Sequence, residues 1–152
     1  MKLSENLTLA EVTKSNTAIK NGINNNPSDE HLSNLVDIAE KVFQPIRDHF
    51  GVPIGITSGY RSLELNKLIG GSLTSQHSKG QALDLDADVF GGVTNSEIFD
   101  HILNNLDFDQ LIWEFGSGSN PDWVHVSYKR EGNRKQVLQA KRINGKTEYS
   151  YL

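Results

Sequence analysis

The sequence predicts an α+β domain in which helices pack on a mainly antiparallel sheet. Three observations predict it. Capping signals and helical periodicity fill much of the first half of the chain. Short alternating runs bounded by Gly, Pro, Asn and Ser fill the second half. Asn144-Gly145 between two strand-like runs is a strong hairpin signal. With 152 residues, 36% hydrophobic content and 13 glycines, the chain has material for one core, so residues 1–152 are read as a single domain.

The elements follow in order. "LTLAEV" starts a helix: Thr8 caps, Glu11 closes a capping box three residues on, and Leu7 with Val12 forms a staple. "NNNPSDE" is a loop. A long helix is expected over about residues 28–50, where Leu32, Leu35, Ala39, Val42, Phe43, Ile46 and Phe50 recur near helical spacing. Gly51 ends it and Pro45 kinks its last turns. "PIGITSGYRS" reads as a short strand entering a turn, and "SLELNKLIGG" as a short helix stopped by glycines.

"VTNSEI" repeats the first start signal. Thr94 and Glu97 form the box, Val93 and Ile98 the staple, and the helix runs to about Leu106. "DQLIWEF" and "DWVHVSY" are strands joined by the loop "GSGSNP".

Composition narrows the function. A net charge of −4 without a basic run argues against nucleic acid as a partner. No apolar stretch is long enough to be a membrane helix, and "MKLSENLTLAEV" is too polar for the core of a secretion signal. The chain is therefore expected to be made in the cytoplasm. With no cysteine, any metal must be held by His, Asp and Glu.

"SQHSKGQALDLD" concentrates the chemistry. It begins as a loop carrying His77 and ends as a strand in which Asp84 shares a face with Ala82 and Asp86, opposite Leu83 and Leu85. Asp86 and Asp88 read as solvated. A calcium loop over Asp84, Asp86 and Asp88 is rejected, because Val89 and Asn95 stand where the loop needs Gly and Glu. In "DWVHVS", His125 shares a face with Trp123 and Ser127, and Asp122 stands at the strand's start after Pro121. Taken alone, each histidine is an ordinary surface or core residue. Together, two histidines and an aspartate could form three zinc ligands with a fourth position open, as catalytic zinc sites require.

These motifs, Ser75-x-His77, Gly80-x-Ala82-x-Asp84 and Asp122-Trp-x-His125, resemble those of the zinc D-Ala-D-Ala carboxypeptidase and dipeptidase family. That family includes phage endolysins that cut cell-wall peptides, and it has the hedgehog/DD-peptidase fold. The resemblance runs from "LTLAEVTKSNTA" to "WVHVS". It implies a zinc peptidase acting on peptidoglycan stem peptides at the cell wall, as a monomer, cutting as a carboxypeptidase or an endolysin-type endopeptidase.

Carried onto this chain, the resemblance implies His77, Asp84 and His125 as zinc ligands and Asp122 as catalytic base. It implies Arg61 of "SGYRS" as the group that binds a substrate carboxylate or carbonyl oxygen, and Ser75 as a substrate contact. Some members carry Glu at the position of Asp122. Glu114 of "LIWEF" is the second candidate for the base. The rival expectation is a zinc-containing binding module of the same fold that no longer catalyses.

Overall fold

A computed structural model describes all 152 residues. A six-stranded sheet holds the molecule together. Its strands are β3 (Gly55–Ser58), β4 (Ala82–Asp86), β5 (Gln110–Glu114), β6 (Trp123–Ser127), β7 (Gln136–Ile143) and β8 (Lys146–Tyr151), in spatial order β3-β4-β6-β5-β7-β8. Every neighbouring pair is antiparallel except β5 with β7. A separate two-stranded ribbon, β1 (Lys2–Ser4) with β2 (Leu7–Thr8), precedes the first helix; the sequence carried no alternation long enough to announce it.

The helices are α1 (Leu9–Thr13), α2 (Asn16–Lys20), α3 (Asp29–Ile38), α4 (Gln44–Phe50), α5 (Leu63–Leu68) and α6 (Asn95–Asn105). Both capping boxes form: Thr8 with Glu11 opens α1, and Thr94 with Glu97 opens α6. The long helix expected over 28–50 is interrupted. Between α3 and α4 the chain widens into a π-turn over Ala39–Phe43, where the Gln44 amide donates to Ala39, five residues back. Pro45 has no N–H to give to the preceding turn and its ring crowds that turn, so the extra residue relieves the conflict. Gly51 closes α4 in the left-handed conformation. No helix is long and apolar enough to cross a membrane.

Alternation gives the sheet two different faces. Leu83 and Leu85 of β4, Leu111 of β5, and Val124 and Val126 of β6 point one way. They join Ile38, Val42, Ile46, Ile98 and Ile102 in a core cluster of 21 buried residues. The opposite face carries Asp84, His125 and Glu114, with a small apolar group of Ile112, Leu138 and Ala140 beside them. The hairpin of β7 and β8 turns at Asn144-Gly145, both at positive φ, as the dipeptide predicts. One face of the sheet is structural, and the other is free for chemistry.

Gly80 joins the short 3₁₀ turn Gln76–Lys79 to β4. It sits at φ 72°, and a Cβ there would collide with the backbone oxygen of His31 on α3. Gly80→Ala is expected to destabilise the fold by about 2–3 kcal/mol, from left-handed strain plus the forced retreat of α3. A thermal melt checks it.

Candidate metal and catalytic site

Three elements bring the site together. The 3₁₀ turn Gln76–Lys79 presents His77, β4 presents Asp84, and β6 presents His125 directly opposite Asp84 across the antiparallel pair. Their ligand atoms all lie within 4.8 Å of one another. His77 Nε2 is 3.4 Å from Asp84 Oδ1, and His125 Nδ1 is 3.0 Å from the same oxygen. Ligands about 2.0–2.1 Å from a tetrahedral zinc would be separated by about 3.3 Å, so the spacing suits such an ion.

The surroundings fix the ligand atoms. His77 Nδ1 donates to the Gly59 carbonyl at 2.7 Å; because a carbonyl can only accept, Nε2 keeps the lone pair that a metal needs. The Arg61 amide donates to the His77 carbonyl at 3.1 Å. The segment "SGYRS" therefore grips His77 at its ring and at its backbone. Gly59 itself has no room for a side chain, because a Cβ would strike the Val12 backbone.

Asp84 is mostly shielded from solvent. Burial pushes its carboxyl upward, but His77 and His125 outweigh burial and hold it well below the usual carboxylate range. It is an anion ready to ligate. These three residues are the ones the sequence motifs nominate as ligands, and the structure brings them into one cluster.

The cluster lies in an open cleft of about 820 Å³, lined also by Arg61, Ser75, Glu114 and Trp123. Ser75 caps the 3₁₀ turn by accepting the His77 amide at 3.2 Å, so it positions a ligand residue besides facing the cleft. Arg61 is half-buried, and its Nε, itself shielded from solvent, has no partner in the protein. Burial lowers its pKa, with the Asp84 charge opposing. Trp123 faces the cleft, while Trp113 packs edge-on against Phe99 on the core side.

The structure does not bring Asp122 into this group. Its side chain is exposed and is not among the cleft-lining residues. Asp122 lies just before β6 begins and three positions before His125, so the strand's alternation does not carry it to the site face. Its backbone is held as well. The Asp122 and Pro121 carbonyls both accept from the Asn95 side chain, at 3.0 and 3.2 Å. Asp86 is likewise not simply solvated, since it accepts from the same Asn95 amide and from the Asp88 backbone.

Glu114, the second candidate for the base, lines the cleft. It lies two residues after Ile112, which pairs with His125, and so it falls on the site face. It is 7% exposed. Burial pushes its carboxyl up to about 7, with Asp84 adding to the rise and His125 opposing it. A carboxylate tuned in that direction, on the face of a candidate metal cluster, is suited to accepting a proton near neutral pH. The alternation of "LIWEF" carried this signal in the sequence.

A family model described as Peptidase M15 matches residues 5–127. The chain belongs to the M15 peptidase family. Comparison with curated proteins finds no match. In this M15 chain the match takes in His77, Asp84, Glu114, Asp122 and His125, and it ends where β6 ends. Membership supports a metallopeptidase, and the clustered His77, Asp84 and His125 are the residues that could hold its metal.

Proposed function

We propose that the protein is a zinc-dependent peptidase that hydrolyses peptide bonds in bacterial peptidoglycan stem peptides. The observation that carries the proposal is the His77, Asp84 and His125 cluster beside buried Glu114, on one sheet face of an M15 family member. The helix-backed, mainly antiparallel sheet is compatible with the hedgehog/DD-peptidase architecture.

His77, Asp84 and His125 would hold the ion. A bound zinc would polarise the scissile carbonyl and acidify the attacking water. Glu114 takes the proton from that water and passes it to the leaving amine, so one group serves as base and then acid. Arg61 binds the negative charge that gathers on the substrate, and its planar fork suits a carboxylate or carbonyl oxygen. Trp123, Ile112 and Leu138 give the cleft an apolar side. The enzyme acts as a monomer on the cell wall.

The test is digestion of purified muropeptides by the zinc-reconstituted protein, followed by mass spectrometry. Release of terminal D-Ala identifies a carboxypeptidase, and new internal amine termini identify an endolysin-type endopeptidase. Stoichiometric zinc with no cleavage product makes the protein a binding module. The presence of Glu114 argues against that outcome, because a module that only binds has no use for a buried carboxylate facing its metal.

A further inference from the structure

The M15 match ends at residue 127, yet five residues beyond it line the cleft: Arg134, Gln136, Leu138, Thr147 and Tyr149. The C-terminal segment thus supplies one wall of the site. Arg134 is the charged member of that wall, and its geometry is fixed by Asp109. Its Nε and Nη2 donate to the two Asp109 oxygens at 3.1 and 2.8 Å, and its backbone amide donates to Oδ1 at 3.0 Å.

Asp109 is wholly buried. It is fixed in turn by Gln76, the residue before His77, whose Nε2 donates to Oδ2 at 3.1 Å. Lys129 Nζ stands 3.5 Å from Oδ1. One carboxylate therefore faces two cations, and the group keeps a surplus positive charge. Only one edge of the Arg134 guanidinium is used by Asp109, and the side chain is 53% exposed. The outer edge is left for a ligand.

Arg61 follows β3, at one margin of the sheet, and Arg134 precedes β7, four strands across. Both arginines line the cleft that holds His77 and His125. We propose that Arg134 is a specificity-determining residue that binds a second carboxylate of an acidic peptide substrate, away from the scissile bond. Arg suits the task because a fork already oriented by one carboxylate loses little freedom in taking another. The proposal rests on the peptidase reading.

The test uses two synthetic peptides that differ only by a carboxylate or a carboxamide at a position remote from the cleaved bond. The wild-type zinc enzyme is expected to show a KM about 10- to 100-fold lower for the acid, the range for a hydrogen bond to a charged partner. In Arg134→Gln that ratio should fall to near one while kcat on the acid changes little, and Arg134→Lys should restore part of it. If wild type does not discriminate the peptides, Arg134 has no such role, although the peptidase stands. If both peptides suffer equally in both variants, Arg134 only braces Asp109 and the proposal is overturned. If wild type cuts neither peptide, the peptidase reading falls and this assignment falls with it.

Discussion

Glu114→Gln is expected to leave the fold and bound zinc in place while lowering peptide hydrolysis by about 10²–10⁴-fold, the usual worth of a positioned proton-transfer group. The substitution keeps the size of the side chain and removes the titrating oxygen. Stability should hold or rise slightly, because burial makes this carboxylate hard to ionise and a neutral amide fits the same place. Asp122→Asn is the paired control. Its side chain is exposed and does not line the cleft, so the rate should stay within a few-fold of wild type. Steady-state kinetics of both variants, with zinc content measured on the same samples, decides the matter. A dead Asp122→Asn beside an active Glu114→Gln would return the base to Asp122.

His77→Ala should have the larger effect on the metal. Wild type should carry about one zinc per chain. The alanine variant loses one of three ligands, and stoichiometric zinc and activity should go together. It also strips the Gly59 carbonyl of its buried donor, costing about 1–3 kcal/mol. Circular dichroism should nonetheless report the native fold, because the 21-residue hydrophobic core is unchanged by the substitution. Elemental analysis after reconstitution and desalting is the measurement. A full complement of zinc in His77→Ala would remove His77 from the ligand set.

Much of this molecule was legible in the chain because its signals are local. Thr8 with Glu11, Thr94 with Glu97, and Asn144-Gly145 each fix a structure within a few residues, and all three form. The cluster was legible in a different way, because His77, Asp84 and His125 sit in motifs whose order and neighbours restrict the possibilities. The position of the proton acceptor was harder to read. Asp122 stands close to His125 in sequence, but that proximity does not carry its side chain to the site face. The alternation of "LIWEF" gives Glu114 its face, but its place on the His125 side depends on the register of β5 on β6, a pairing that no window of sequence contains. The π-turn was half visible: Pro45 announced a disturbance, but the choice between a kink and an inserted residue depends on packing against the core. The role of the C-terminal hairpin was hidden for the same reason, since only the parallel pairing of β5 with β7 swings Arg134 and Tyr149 toward the histidines.

The division of the sheet into two faces has a consequence for the life of the protein. In small zinc domains the ion substitutes for a missing core, and withdrawing it unfolds the chain. Here 21 buried residues on the far face do that work, and Asn95 ties Ala87 to the Asp122 backbone from the core side. Folding and ion uptake are therefore expected to be separable. On the proposed reading, the ion-free chain is expected to melt cooperatively near the temperature of the loaded one and to gain activity only when zinc is added.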